Sequence, residues 1–221
     1  MSESAARTTA RILFETKSVL LRPDDPFILT SGRASPVYVD CRRLIAFPRE
    51  RHRLMDLAVT LLDEEVGFAQ FDVIAGGETA GIPFAAWIAE RTVRPMAYIR
   101  KKPKGFGRNA RIEGALEEGQ RVLLVEDLAT DGGSKLSFVD GIREAGATCA
   151  HCFVIFHYGI FPESVQQLKQ AGVTLHALAT WWDVLACAEE EGLFPEEQTR
   201  QVRAFLDDPA GWSASHGGQE A

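Results

Sequence analysis

The stretch that most constrains this chain is residues 121–134, RVLLVEDLATDGGS. Four apolar residues, Val122 to Val125, lead into the adjacent carboxylates Glu126 and Asp127. A small polar loop follows, then an amphipathic segment. The pattern predicts a buried strand that turns through Gly132 and Gly133 into a helix N-terminus. Glycines let backbone N–H groups approach a ligand closely, Thr130 and Ser134 add hydroxyls, and a helix start adds partial positive charge. That combination suits a phosphate. The carboxylates repel phosphate and suit sugar hydroxyls or a divalent cation instead. Together they predict a phosphorylated sugar as ligand. The plainer alternative is a strand–helix turn with a solvated acidic pair.

Composition limits the partners. The 221 residues suit one large domain or a domain with a small appendage. A net charge of −7 opposes nonspecific nucleic-acid binding. No apolar run approaches a membrane span, and the first ten residues lack a signal peptide's apolar core. A soluble, cytoplasmic protein without nucleic-acid or membrane partners is expected. Cys41, Cys149, Cys152 and Cys187 are too few for a disulfide framework. Cys149 and Cys152 form a C-x-x-C before a strand, where i and i+3 would face opposite ways, so buried thiols are expected.

Other stretches repeat the motif's logic. Residues 8–20 predict a short helix, and 26–40 two β-like runs around Ser31-Gly32. Residues 49–65 carry a helical stripe through Leu54, Leu57, Ala58, Leu61 and Leu62. Phe71 to Ala75 predicts a buried strand that enters a second glycine loop, 76–81, and another helix. This loop matches neither the P-loop nor the dinucleotide fingerprint. Residues 95–99 predict a strand that continues into RKKPKGFGRNAR at 100–111. Six bases in these twelve residues, with no acid, reverse the sign of the whole chain. Pro103, Gly105 and Gly107 forbid a stable helix there. A flexible cationic loop facing a polyphosphate explains the reversal. Further strands near 153 and 175 alternate with helices, and 207–221 reads as a loose polar tail. The whole predicts one α/β domain with a mainly parallel central sheet flanked by helices. Ligands bind such sheets at the carboxyl ends of the strands, so the loops at 76–81, 100–111 and 126–134 should converge.

VLLVEDLATDGGS resembles the 5-phosphoribosyl-1-pyrophosphate (PRPP) motif of type I phosphoribosyltransferases. With FILTSGRASPVYVD, GGETAGIP and RKKPKGFG, residues 10–205 resemble the orotate phosphoribosyltransferase family. The resemblance implies a phosphoribosyltransferase domain over 1–206, with an N-terminal hood at about 8–45. It implies transfer of ribose 5-phosphate from PRPP to orotate in pyrimidine synthesis, with Mg²⁺ carried by PRPP and no metal held directly by the protein. By motif, Glu126 and Asp127 would hold the ribose hydroxyls, Leu128 would be among the PRPP-binding residues, and Ala129, Thr130, Asp131, Gly132, Gly133 and Ser134 would cradle the 5-phosphate. Gly77, Glu78 and Thr79 would lie in the pyrophosphate loop. Arg100, Lys101 and Lys104 would close over the pyrophosphate, reaching into the neighbouring subunit of a homodimer; with Asp127 they form the implied catalytic set. Thr30, Ser31, Gly32, Arg33 and Thr130 would border orotate. An arginine that meets orotate in some members falls at His157 or Tyr158, and a loop histidine at Phe106. A purine phosphoribosyltransferase and a non-catalytic PRPP sensor are the alternatives.

Overall fold

The computed structural model describes residues 4–29, 32–104, 111–130 and 133–218. Thr30, Ser31, Asp131, Gly132 and the loop residues 105–110, Phe106 included, lie outside the described residues. The chain divides into two compact units, residues 48–178 and residues 1–47 with 179–221.

The N-terminal part of one unit begins with α1 (Ala5–Glu15), capped by the Ser4 hydroxyl accepting from the Arg7 N–H at 3.2 Å. It continues through β1 (Val19–Leu21), β2 (Phe27–Ile28), β3 (Ala34–Ser35) and β4 (Val37–Val39). β2 pairs antiparallel with β3, and β1 with β4. Gly32 turns the β2–β3 connection with φ +83°, a left-handed conformation that glycine adopts without steric cost.

The other unit carries the sheet. It contains α2 (Pro48–Glu65), β5 (Val73–Gly77), α3 (Gly81–Thr92), β6 (Met96–Ile99), β7 (Ile112–Gly114), β8 (Arg121–Ala129), α4 (Gly133–Glu144), β9 (Thr148–His157), α5 (Pro162–Gln170) and β10 (Thr174–Thr180). The six strands run in the order β10-β9-β8-β5-β6-β7. β5 is parallel to both β6 and β8, β8 is parallel to β9, and only β7 is recorded as antiparallel, against β6. This is the expected mainly parallel sheet. Its interior strands read as continuous apolar runs because helices cover both faces: every residue of β5 is buried, as are Val122 to Val125 of β8. Connections from β5 lead through α3 to β6 on one side, and those from β8 through α4 to β9 on the other. The carboxyl ends of β5 and β8 therefore flank the point where strand order reverses, the usual crevice for a ligand.

Three details differ from the sequence expectation. The acidic pair, Leu128 and Ala129 belong to β8 and not to a loop, because β8 keeps its register with β9 as far as Ala129 opposite His157. Cys149 and Cys152 share a face: Val122 pairs with Cys149 but Leu123 with His151, so Ala150 is an inserted bulge residue that restores the same side three positions on. Both thiols are buried in one core with Val122, Leu124 and Val154. Finally, residues 209–215 of the segment expected as a loose tail are helical.

That last helix belongs to the unit of residues 1–47 and 179–221, with α6 (Trp181–Glu190), α7 (Glu196–Asp207) and α8 (Pro209–Ser215). Asp208 caps α8 by accepting from the Gly211 N–H at 2.9 Å. Trp212 packs edge-on against Phe205 at 5.5 Å, and Ser213 Oγ accepts the Ala34 N–H at 3.0 Å. One buried indole supplies enough apolar area to dock a short polar helix. The N-terminal strands are thus bound to the C-terminal helices within one unit. Among the described residues no helix is long and apolar enough to cross a membrane.

Candidate active site

At the carboxyl edge of the sheet the side chains of β8 part company. Neighbouring strand residues point to opposite faces, and here Glu126 is buried at 7% exposure while Asp127 is half-buried. The Glu126 carboxylate lies against the loop after β5. A Cβ built on Gly77 would stand 2.3 Å from Glu126 Oε1, and one on Gly81 2.8 Å from it. A Cβ on Gly76 would stand 2.7 Å from the Ile82 Cα and 2.8 Å from the Gly81 carbonyl oxygen. The glycines expected to serve a ligand therefore also let β5, α3 and β8 close around a carboxylate.

The other neighbour of Glu126 is Lys135, in the first turn of α4. Its Nζ lies 3.6 Å from Glu126 Oε2 and donates to Ser134 Oγ at 3.1 Å. Lys135 is itself buried, at 5% exposure. Burial disfavours the anion and pushes the Glu126 carboxyl up to about 7; Lys135 opposes that shift, and Asp127 reinforces it. Lys135 was absent from the residues singled out in the sequence. A signal was present: a lysine in the first turn opposes the positive end of the helix dipole, so it needs an anion nearby.

Beyond β6 the cationic loop begins with half-buried Arg100 and exposed Lys101 and Lys104. The Lys101 N–H donates to Glu78 Oε2 at 2.8 Å, and the Glu78 N–H to the Ile99 carbonyl at 2.9 Å. These bonds join the loops that follow β5 and β6. The peptide between Glu78 and Thr79 is cis. Glu113 on β7 accepts from Arg100 at 3.4 Å and forms a close ion pair with Lys104. The Lys104 ammonium, with Arg100, holds the Glu113 carboxyl below its usual range. Glu113 also went unnoticed in the sequence, because its partners are cations already assigned to a ligand.

His157 ends β9 opposite Ala129, and the Ala129 carbonyl accepts the Tyr158 N–H at 2.9 Å. His157 Nε2 is buried without a hydrogen-bond partner among the described residues. Burial, then the charge of Lys135, keeps this imidazole below its ordinary pKa. The structure thus gathers Gly77, Glu78, Glu126, Ala129, Ser134 and Lys101 on adjoining strand ends and loops, with Asp127, Thr130 and His157 beside them. Gly32 and Arg33 belong to the other unit, where the Arg33 carbonyl accepts the Leu29 N–H at 2.9 Å.

Comparison with known proteins agrees with this geometry. Residues 46–187 match the phosphoribosyl transferase domain family. The chain is 63% identical over 211 residues to orotate phosphoribosyltransferase of Cereibacter sphaeroides strain KD131, covering 95% of this chain and 90% of that protein. It is 59% identical over 215 residues to orotate phosphoribosyltransferase of Roseobacter denitrificans, covering 97% and 96%. The crystal structure of orotate phosphoribosyltransferase from Aeropyrum pernix superposes with a TM-score of 0.71 at 31% identity, over 84% of this chain and 99% of that one. With its sheet, its glycine-lined carboxylate and its cationic loop on one edge, the chain belongs to the orotate phosphoribosyltransferase family of type I phosphoribosyltransferases.

Proposed function

We propose that the protein transfers ribose 5-phosphate from PRPP to orotate, releasing pyrophosphate and forming orotidine 5'-monophosphate. The observation that carries this reading is the position of Glu126, braced between the loop after β5 and the first turn of α4 at the point where strand order reverses. The 5-phosphate is held by the α4 N-terminus and its loop, Thr130 to Ser134, and the pyrophosphate by the loop around Gly77, Glu78 and Thr79. Asp127 and Glu126 hold the ribose hydroxyls as hydrogen-bond acceptors. Thr30, Ser31, Gly32, Arg33, Thr130 and His157 border the orotate.

The chemistry then follows from charge. Orotate N1 takes ribose C1, the C1–O bond to pyrophosphate breaks, and negative charge gathers on the departing group. Arg100, Lys101 and Lys104 meet that charge as it develops. Their loop, closing, keeps water from the same carbon. Glu78 is engaged by the Lys101 N–H and Glu126 by Lys135; Mg²⁺ carried by PRPP would supply neutralisation of the pyrophosphate charge beside them. The cationic loop serves the neighbouring subunit of a homodimer, and the protein works in the cytoplasm as one catalytic domain.

The test is turnover of orotate, followed by its loss of absorbance, with PRPP and Mg²⁺. Consumption of adenine or guanine instead of orotate would sink the assignment, and PRPP binding without any turnover would identify a sensor. Mixing Lys101→Ala with Asp127→Ala protein should restore part of the lost activity. Absence of complementation would remove the shared loop.

A further inference from the structure

Lys135 is an unusual residue in its setting. A cation at a helix N-terminus meets like partial charge, and burial removes the water that would otherwise solvate it. Both penalties fall on one side chain at 5% exposure. Two interactions offset them. Nζ is 3.6 Å from Glu126 Oε2, and it donates to Ser134 Oγ at 3.1 Å. Because Ser134 Oγ accepts from the ammonium, its own hydrogen is left to donate outward from the start of α4. The pair thus connects the two features the site needs, a carboxylate beneath the ribose and a hydroxyl donor on the phosphate loop.

We propose that Lys135 is a positioning residue for PRPP: it holds the Glu126 carboxylate as an anion at the β5–β8 crevice and orients the Ser134 hydroxyl toward the 5-phosphate. The groups facing Glu126 set the balance. Lys135 on α4 and Lys101 after β6 favour the anion; Asp127 on its own strand opposes it, as does burial. Cys152 on β9 interacts with both Glu126 and Lys135, and its thiol is held neutral by burial. His157 faces Lys135 and is kept neutral by burial and by that ammonium. Lys135 is therefore the one buried cation among these groups. A neutral side chain in its place leaves Glu126 with Asp127 and desolvation on one side and exposed Lys101 on the other, so the carboxyl takes up a proton. Protonated, it donates where the ribose hydroxyls need an acceptor.

The functional half of this inference rests on the reading of the chain as a PRPP-using transferase; the electrostatic half does not. Two measurements on the full chain separate them. The first is ¹³C NMR titration of carboxyl-labelled glutamates in the unliganded protein, with the Glu126 resonance assigned by Glu126→Gln. Wild type should titrate near 7, and Lys135→Met should titrate at least one unit higher. An unmoved titration overturns the proposal whatever the substrate proves to be. The second is the pH profile of kcat/KM for PRPP. Lys135→Met should lose about fivefold or more at pH 7 and progressively less toward pH 9, since a shift of one unit or more in an essential carboxylate predicts that shape. A loss independent of pH marks a merely structural lysine and also overturns it. If Lys135→Met folds poorly, Lys135→Met with Glu126→Gln removes both charges and should recover the urea midpoint lost by the single change. Strict additivity of the two substitutions refutes the coupling.

Discussion

Gly81→Ala sets two well-characterised effects against each other. Gly81 is the first residue of α3, and alanine there gains at most the roughly 1 kcal/mol of helix propensity that it gains in a helix interior. Its φ is not in the left-handed region, so the backbone accepts a side chain. Space does not. The new Cβ would lie 2.3 Å from the Val125 carbonyl oxygen, 2.8 Å from Glu126 Oε1 and 3.2 Å from Glu126 Cα. Two of these are backbone atoms, and the third, the Glu126 carboxylate, is buried and paired with Lys135. Val125 is buried in β8, opposite Gly76 on one side and Phe153 on the other. Relief requires α3 and β8 to separate by most of an ångström or the ladder to distort. Overpacking against yielding side chains costs about 1–3 kcal/mol, and a backbone obstacle belongs at the upper end. The net expectation is a loss of about 2 kcal/mol after the propensity gain. It should appear as a lower urea midpoint at constant m, with weaker PRPP binding because Glu126 is displaced. Gly141→Ala, inside α4, is the control: it gains the same propensity, and its nearest neighbour is the Arg111 side chain at 3.2 Å. Its propensity gain of roughly 1 kcal/mol is set against mild crowding by the Arg111 and Ile99 side chains, so it should lower the midpoint far less than Gly81→Ala does. A Gly81→Ala midpoint equal to or above wild type would refute the steric argument.

Other consequences can be measured directly. The Glu126 carboxyl is raised from 4.5 to about 7, so the folded state binds its proton more tightly than the unfolded chain. Its contribution to stability is whole below about pH 4.5 and is lost as pH rises to about 7, a change of about 3 kcal/mol; Glu126→Gln should flatten that part of the stability–pH curve. Asp72 shows the opposite sign: Arg121 holds its carboxyl down to about 2, through hydrogen bonds of 2.6 to 3.0 Å. Its stabilising effect is present above the ordinary value near 3.8 and fades toward pH 2, and Asp72→Asn should lose the corresponding steepness in acid unfolding. Glu113→Gln frees Arg100 and Lys104 from an anion that competes with pyrophosphate. Pyrophosphate should then inhibit at up to about fivefold lower concentration at low salt, the gain vanishing at high salt, because exposed pairs are weak and screened. An unchanged or weaker inhibition would show that Glu113 does not compete.

The parts of this architecture that could be read from the chain are those in which local pattern and burial coincide. The runs at 73–77 and 122–125 are apolar because both sheet faces are covered, and each ends in residues incompatible with continued burial on both sides, whereas 96–99 alternates half-buried with buried residues. What escaped reading depends on partners far along the chain. β7 is three residues, one of them Glu113, and becomes a strand only because β6 presents an open edge. The bulge at Ala150 is defined by pairing with Val122 and Leu123, so no inspection of C-x-x-C alone could put both thiols on one face. Residues 126–129 looked like a loop since adjacent carboxylates ordinarily end a buried strand. They remain strand because Glu126 reaches an ammonium nine positions later, one turn inside the next helix. The same cause hid Lys135. Its charge has no visible purpose in a helix stripe, and acquires one only when parallel pairing sets the ends of β5 and β8 side by side. The sequence motif thus nominates the groups proposed to meet the substrate, while the groups that contact and brace them are supplied by the topology.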